Sequence, residues 1–210
     1  MITFSELPIP GAYLIQPLLR GDERGFFARA FCQNEFQRAG LDHSFVQMNL
    51  SHSRSAGTLR GLHYQLPPAA ETKLVTCVRG RVYDVILDLR PRSSDFGRWC
   101  AVTLSPDTGA AAYVPRGCAH ALFTLDDDTE VLYLVTEPYT PELERGVRYN
   151  DERFALAWPF PPRVISPRDL RHPDFDPTWH LNEEFRWLPV RPIAMAEDEV
   201  TTAGLGAGAQ

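Results

Sequence analysis

A single lysine, Lys73, stands among twenty arginines in this 210-residue chain. It follows His63 by ten residues, and His63 lies in the run Gly57-Thr58-Leu59-Arg60-Gly61-Leu62-His63-Tyr64-Gln65. Arginine offers a planar, permanently charged fork, whereas lysine delivers a compact charge on a flexible stem. A chain that uses arginine for general charge yet keeps one lysine near a histidine invites a chemical reading, although Lys73 alone is equally an ordinary strand-start residue. His63 is the first candidate general base, because histidine titrates near neutrality without strong perturbation; the alternative is a satisfied core histidine. His120 follows a turn in Val114-Pro115-Arg116-Gly117-Cys118-Ala119-His120. Two histidines near strand ends raise a metal site, but the His-x-His pattern breaks at His63-Tyr64-Gln65, so no bound metal is expected. Tyr133 and Tyr139 flank Leu-Val-Thr-Glu-Pro, and each is a candidate acid or stacking face, or else core with a satisfied hydroxyl. Arg24, in Asp-Glu-Arg-Gly-Phe-Phe, and Arg60 are candidate phosphate clamps or simply solvated arginines. Asp169 has the chemistry to orient a histidine, but nothing in the residues selects it over the other aspartates.

The elements that must position these groups read as strands. Phe45–Ser51, Leu74–Arg79, Arg81–Leu89, Trp99–Leu104, Ala111–Val114, Ala119–Leu125 and Glu130–Thr136 are rich in β-branched or aromatic residues and bounded by Gly, Pro, Asp or Ser. Turns fit Arg79-Gly80, Pro91 to Asp95, Pro106-Asp107-Thr108-Gly109 and Asp126-Asp127-Asp128. One short helix is expected at Glu35–Ala39, with Asn34 as N-cap and Gly40 past its end. Many short strands with almost no helix predict a sandwich or barrel, with a double-sheet jelly roll the natural candidate. From about Pro159 the chain turns irregular, and residues 194–210 read as a disordered tail.

The length fits one domain with a substantial core. A net charge of −6 argues against a phosphate-neutralising nucleic-acid surface, though not against a local arginine cluster holding a small anion. No apolar stretch approaches the ~20 residues that span a bilayer, and the N-terminus lacks a secretory pattern. Four scattered cysteines give no zinc or disulfide framework. The expectation is a cytoplasmic protein that binds neither membrane nor nucleic acid.

Together these segments resemble the nucleotide-diphosphosugar 3,5-epimerase family, whose best-known member acts on dTDP-4-keto-6-deoxyglucose in rhamnose synthesis. The resemblance runs from about Tyr13 to Leu170. It is carried by Asp22-Glu23-Arg24-Gly25-Phe26-Phe27, Gln47-Met48-Asn49-Leu50-Ser51, Gly57 to Gln65, Val78 to Val85, Phe96-Gly97-Arg98-Trp99, Pro115 to His120, and Glu144-Arg145-Gly146-Val147-Arg148-Tyr149-Asn150-Asp151. It implies an all-β, cupin-type jelly roll over residues 1–170, an irregular extension over 171–193, a homodimer, and no metal or organic cofactor. It also implies His63 as base, Asp169 as its partner, Lys73 at the oxyanion and Tyr133 as acid. Substrate contacts fall on Arg24, Phe27, Gln47, Asn49, Arg60, His120, Glu144 and Arg168, with Tyr139 stacking on the base.

The implied reaction is epimerisation at C3, C5 or both of a nucleotide-linked 4-keto-6-deoxy sugar. His63 takes the proton next to the ketone, Lys73 and His120 hold the enolate charge, and Tyr133 returns a proton to the opposite face. The family's glutamate after Phe-Phe is replaced by Arg29, a donor where an acceptor is usual, which leaves the nucleotide base open. The usual lysine before Asp169 is Arg168, and the usual glycine after His120 is Ala121. Two other readings stand: a 3,4-ketoisomerase of the same fold, which needs a different acid–base arrangement, and a jelly roll that binds sugar nucleotide without turnover.

Overall fold

The structure, a computed structural model, describes residues 1–190. Its strands are β1 (Ile2–Glu6), β2 (Tyr13–Pro17), β3 (Arg20–Asp22), β4 (Gly25–Phe27), β5 (Gln47–Ser53), β6 (Thr58–Gln65), β7 (Lys73–Arg79), β8 (Val82–Asp88), β9 (Trp99–Leu104), β10 (Ala111–Val114), β11 (Cys118–Thr124), β12 (Thr129–Val135), β13 (Glu144–Gly146) and β14 (Val164–Ile165). Two short helices, α1 (Gln33–Arg38) and α2 (Pro177–His180), and two 3-10 turns complete it. One sheet runs β1-β2-β10-β7-β12-β5; the facing sheet runs β13-β6-β11-β8-β9, with β14 on β6. β3 and β4 pair only with each other. This is the all-β, cupin-type jelly roll expected from the sequence.

Pleat alternation decides which side chains meet. On β7 Val75 and Cys77 enter the core between the sheets while Leu74 turns outward beneath α1. On β11 Cys118 and Leu122 enter that core, and Ala119 and Ala121 face the outer layer. By the same period of two, Lys73, His63, His120 and Tyr133 fall on inward positions. Val75, Ile86, Ala112, Val114 and Val131 fill one part of the interior, each large apolar side chain worth about 1.5–3 kcal/mol when buried. The polar inward positions are left to line a cavity.

The sequence-based strand limits agree with the structure to within two residues. Trp99–Leu104 and Ala111–Val114 match, whereas β5 begins at Gln47 rather than Phe45. The helix is shifted: Cys32, not Asn34, is the N-cap, without a side-chain cap. Its carbonyl accepts from the N–H groups of Glu35 and Phe36, and the fully buried Phe36 pins the helix to the core, so packing overrides capping preference. Beyond Leu170 the chain is irregular but packed: Phe185 is fully buried against Tyr64, whose hydroxyl donates to the His180 carbonyl at 2.7 Å. The expected tail, 194–210, and the end of the extension lie outside the described residues.

Candidate active site

A cavity of about 890 Å³ opens between the sheets, lined by side chains from β5, β6, β7, β11 and β12 and by the segment 164–169. β6 and β11 are neighbours in register, with His63 opposite His120 and a bulge just beyond. Gly61 makes that approach possible. Its φ is +113°, and a methyl group there would sit 2.5 Å from the His120 carbonyl oxygen.

His63 Nε2 donates to Asp169 Oδ1 at 2.8 Å. That hydrogen bond places the proton on Nε2 and leaves Nδ1 as the basic nitrogen. Asp169 sits on a 3-10 turn whose start is tied by the Ser166 hydroxyl accepting from its N–H at 3.0 Å. Burial alone would raise the Asp169 pKa, but His172, His63 and the Gly61 N–H outweigh it and hold the carboxyl well below the usual range. The aspartate therefore stays ionised beside His63.

Across the cavity, β12 carries Tyr133, and β7 carries Lys73 opposite Val135 of β12. His63 and Tyr133 thus stand on opposing sheets, with Lys73 on the strand beside that of the tyrosine. Burial raises the Tyr133 pKa, Glu144 and Glu71 adding to the rise and Arg60 opposing it, so the phenol keeps its proton at neutral pH. Lys73 pairs in the interior with Glu71; removing either partner would strand a buried charge. His120 Nε2 lies 2.8 Å from the fully buried Asp84 Oδ2.

The nucleotide-end candidates divide into two groups. Gln47, Asn49, Arg60, Tyr139, Glu144 and Arg168 line the cavity. Gln47 Oε1 accepts the Tyr139 N–H at 2.8 Å, and the Tyr139 hydroxyl donates to Glu144 Oε2 at 2.5 Å, an oxygen that Arg168 also holds. Arg60 donates to the His52 carbonyl and the Ser53 hydroxyl. Arg24, Phe27 and Arg29 are not brought to this cavity. Arg24 is 84% exposed and pairs with Asp22 two residues away; Phe27 is 69% exposed; Arg29 lies 3.6 Å from Glu35.

Sequence reading missed three residues. Asp84 was signalled by an acid inside the apolar run Val82–Leu89, and Glu71 by its place two before the only lysine. His172, whose Nε2 lies 3.4 Å from Asp169 Oδ1, was signalled by i, i+3 spacing across one 3-10 turn. Its ring packs on Gly146, where a methyl would approach it to 2.2 Å.

The jelly roll and its polar cavity define a cupin-type enzyme with a histidine on one sheet and a tyrosine and a lysine on the other. Residues 6–177 match the family model for dTDP-4-dehydrorhamnose 3,5-epimerase. A protein of that description from Sinorhizobium fredii is 41% identical over 171 residues, covering 81% of this chain and 88% of the relative. The crystal structure of a dTDP-4-dehydrorhamnose 3,5-epimerase from Bacillus anthracis with TDP and pyrophosphate bound superposes with a TM-score of 0.81 at 40% identity, covering 83% of this chain and 100% of that one. A 3'-monoepimerase from Streptomyces bikiniensis in complex with dTDP-quinovose gives 0.74 at 35% identity, covering 80% and 85%. The chain belongs to the dTDP-4-dehydrorhamnose 3,5-epimerase family, and it is an isomerase. Among the described residues, no helix is long and apolar enough to cross a membrane.

Proposed function

We propose that the protein epimerises C3 and C5 of dTDP-4-keto-6-deoxyglucose by proton transfer through an enolate. The observation that carries this is the placement of His63 and Tyr133 on opposing sheets of one cavity, as inversion demands. His63 Nδ1 takes the proton from the carbon beside the C4 ketone, and Asp169 supports the resulting imidazolium. Lys73, with His120, holds the charge on the enolate oxygen; a well-placed donor of this kind is worth about 3–4 kcal/mol. Tyr133 then gives its proton to the opposite face, and the same groups act at the second carbon. No step needs a metal or organic cofactor.

The working form in this reading is a homodimer in the cytoplasm. Arg24, Phe27 and Arg29 lie outside their own cavity, and in this reading a second copy's β3–β4 hairpin and the residues just after it bring them to the site. The exposed Met48 and Leu50 on β5, a sheet edge, support such pairing.

The test is incubation with dTDP-4-keto-6-deoxyglucose in deuterated water. Deuterium at both C3 and C5 of an inverted product is the expected result. Wash-in at one carbon only makes the protein a monoepimerase, a migrated keto group makes it a 3,4-ketoisomerase, and tight binding with no wash-in makes it a non-catalytic binder.

A further inference from the structure

Three ligating atoms converge behind the cavity, one of them from a residue that no part of the proposed mechanism uses. His63 Nε2 and His172 Nε2 approach the same oxygen, Asp169 Oδ1, at 2.8 and 3.4 Å, and each of the three residues offers a ligand atom within 4.8 Å of those of the other two. The Asp169 and His172 side chains are only 5% and 10% exposed. His172 Nε2 is shut from solvent and makes no hydrogen bond of good geometry. The His172 ring is seated on Gly146 and meets the His63 ring edge-on at 5.6 Å.

We propose that His63, Asp169 and His172 form a latent site for a divalent transition metal, best matched to Zn²⁺, whose occupation switches the enzyme off. Two imidazoles and one carboxylate are a donor set suited to zinc. Zn²⁺ binds such atoms at about 2.0–2.2 Å, so tetrahedral ligands stand roughly 3.3 Å apart. The separation between His172 and Asp169, 3.4 Å, is already close to this value, and the 2.8 Å between His63 and Asp169 must open by about half an ångström. The two histidines, whose ligand atoms lie within 4.8 Å of one another, must close on one another. The fourth position is left to water. The His-x-His pattern missing from β6 is thus completed by a histidine more than a hundred residues away, beyond the reach of any local motif.

The inhibitory consequence rests on His63 being the base, as proposed above; the binding itself does not. A metal on Nε2 takes the position of the proton that His63 gives to Asp169. The hydrogen of the neutral ring then resides on Nδ1, the nitrogen that must accept the substrate proton. The imidazole becomes a donor toward the cavity and loses its function, with no bond made or broken in the substrate.

Titration of the metal-free protein with Co²⁺, followed by its visible spectrum, tests the site without reference to turnover. One equivalent giving the intense band of a four-coordinate ion, displaced by Zn²⁺, is the expected result. His172→Ala and His172→Gln should each weaken Zn²⁺ binding by at least the roughly 10–100-fold that loss of a mere outer-shell partner costs; the glutamine variant keeps a hydrogen-bond donor beside Asp169 should the alanine variant unfold. Zn²⁺ should inhibit the wild type, chelation should restore it, and each variant should resist inhibition relative to its own metal-free rate. A wild type that binds no Co²⁺ at one equivalent, or folded variants that bind Zn²⁺ as tightly as the wild type, overturns the site. Binding through His172 without epimerase turnover keeps the site and sinks the proposed function instead.

Discussion

Within the cavity, His63, His120 and Lys73 each meet a buried carboxylate, from Asp169, Asp84 and Glu71 respectively. On the β3–β4 hairpin, Arg24 meets its neighbour Asp22 alone among the described residues, and Phe27 stands in solvent. Both regions carry residues of the same family resemblance, yet only the first is organised by its own chain. The difference teaches that the groups assigned to bond-making are fixed by the sandwich itself, where a misplacement of about 1 Å is costly. Of the contacts assigned to the nucleotide end, those from Arg24, Phe27 and Arg29 are held away from the cavity of their own chain.

The contrast is broken most directly through the cavity. His63→Ala and Tyr133→Phe are each expected to lower turnover by about 10²–10⁴-fold while the fold survives. The thermal midpoint should be nearly unchanged in Tyr133→Phe and lowered in His63→Ala, which leaves the buried Asp169 with one partner fewer. Solvent exchange into substrate vanishes in His63→Ala. In Tyr133→Phe it persists without inverted product, because abstraction precedes protonation from the other side. Near-normal product formation by either purified variant removes that residue from the mechanism.

Lys73→Arg is expected to lose about 10²–10³-fold, since the guanidinium spreads its charge over a larger planar group and Glu71 remains beside it. A rate close to wild type would make the lysine a generic counter-charge.

The hairpin side of the comparison is sharpened by mixing two inactive partners. Arg24→Ala should bind substrate weakly, and His63→Ala should turn over little of it. If the hairpin serves the other copy, a dimer of one chain of each kind contains one site with both residues intact, and random mixing restores about a quarter of wild-type sites. A mixture no better than its components places each hairpin on its own cavity, or on none.

How much of this was legible in the sequence follows the same divide. The strands around Lys73, Tyr133 and His120 were readable because period-two alternation and turn residues are local signals. β6 was readable only as a motif: Gly61 interrupts it, and polar residues occupy its inward positions because they line a cavity. The pairing of His63 with Asp169 spans more than a hundred residues, and no periodicity encodes it. The resemblance identified Asp169, but Asp84, Glu71 and His172 required the fold. Length and composition suggested an irregular extension; they did not reveal that Phe185 and His180 are fully buried against the outer face of the cavity sheet.

That buried segment carries a pH signature smaller than the catalytic effects. Burial lowers the His180 pKa, against the opposing pull of Asp176 and Asp151 and hydrogen bonds at Asp176 and Gly146. The unfolded chain, with a histidine near pH 6.5, then binds the proton more readily than the folded one. Stability is therefore present above about pH 6.5 and declines as pH falls below it, by at most about 1.4 kcal/mol per pH unit from this group. Urea unfolding of the wild type and of His180→Asn at pH 7.5 and 5.5 checks this. The variant should show a shallower decline, and an equal decline assigns the loss to other groups.

The smallest effect is expected at Arg29, where hairpin and cavity come closest to a shared question. Thymine offers an N3 hydrogen that a glutamate could accept and an arginine cannot. Either Arg29 is turned aside and leaves the base to Tyr139 and Gln47, or it donates to a base rich in acceptors, such as cytosine. The structure favours the first, because Arg29 lies 3.6 Å from Glu35 and that carboxylate is itself fixed by accepting the Ile2 N–H at 2.7 Å. An exposed pair of this kind is worth about 0–1 kcal/mol, so breaking it should perturb little. Competition among dTDP, UDP, CDP and GDP is expected to favour dTDP in the wild type, and Arg29→Glu to move that preference by only a few-fold toward dTDP. A clear preference for CDP or GDP, reversed in Arg29→Glu, would show that Arg29 reads the base directly and that the hairpin, though exposed in one chain, is as much part of the site as the cavity wall.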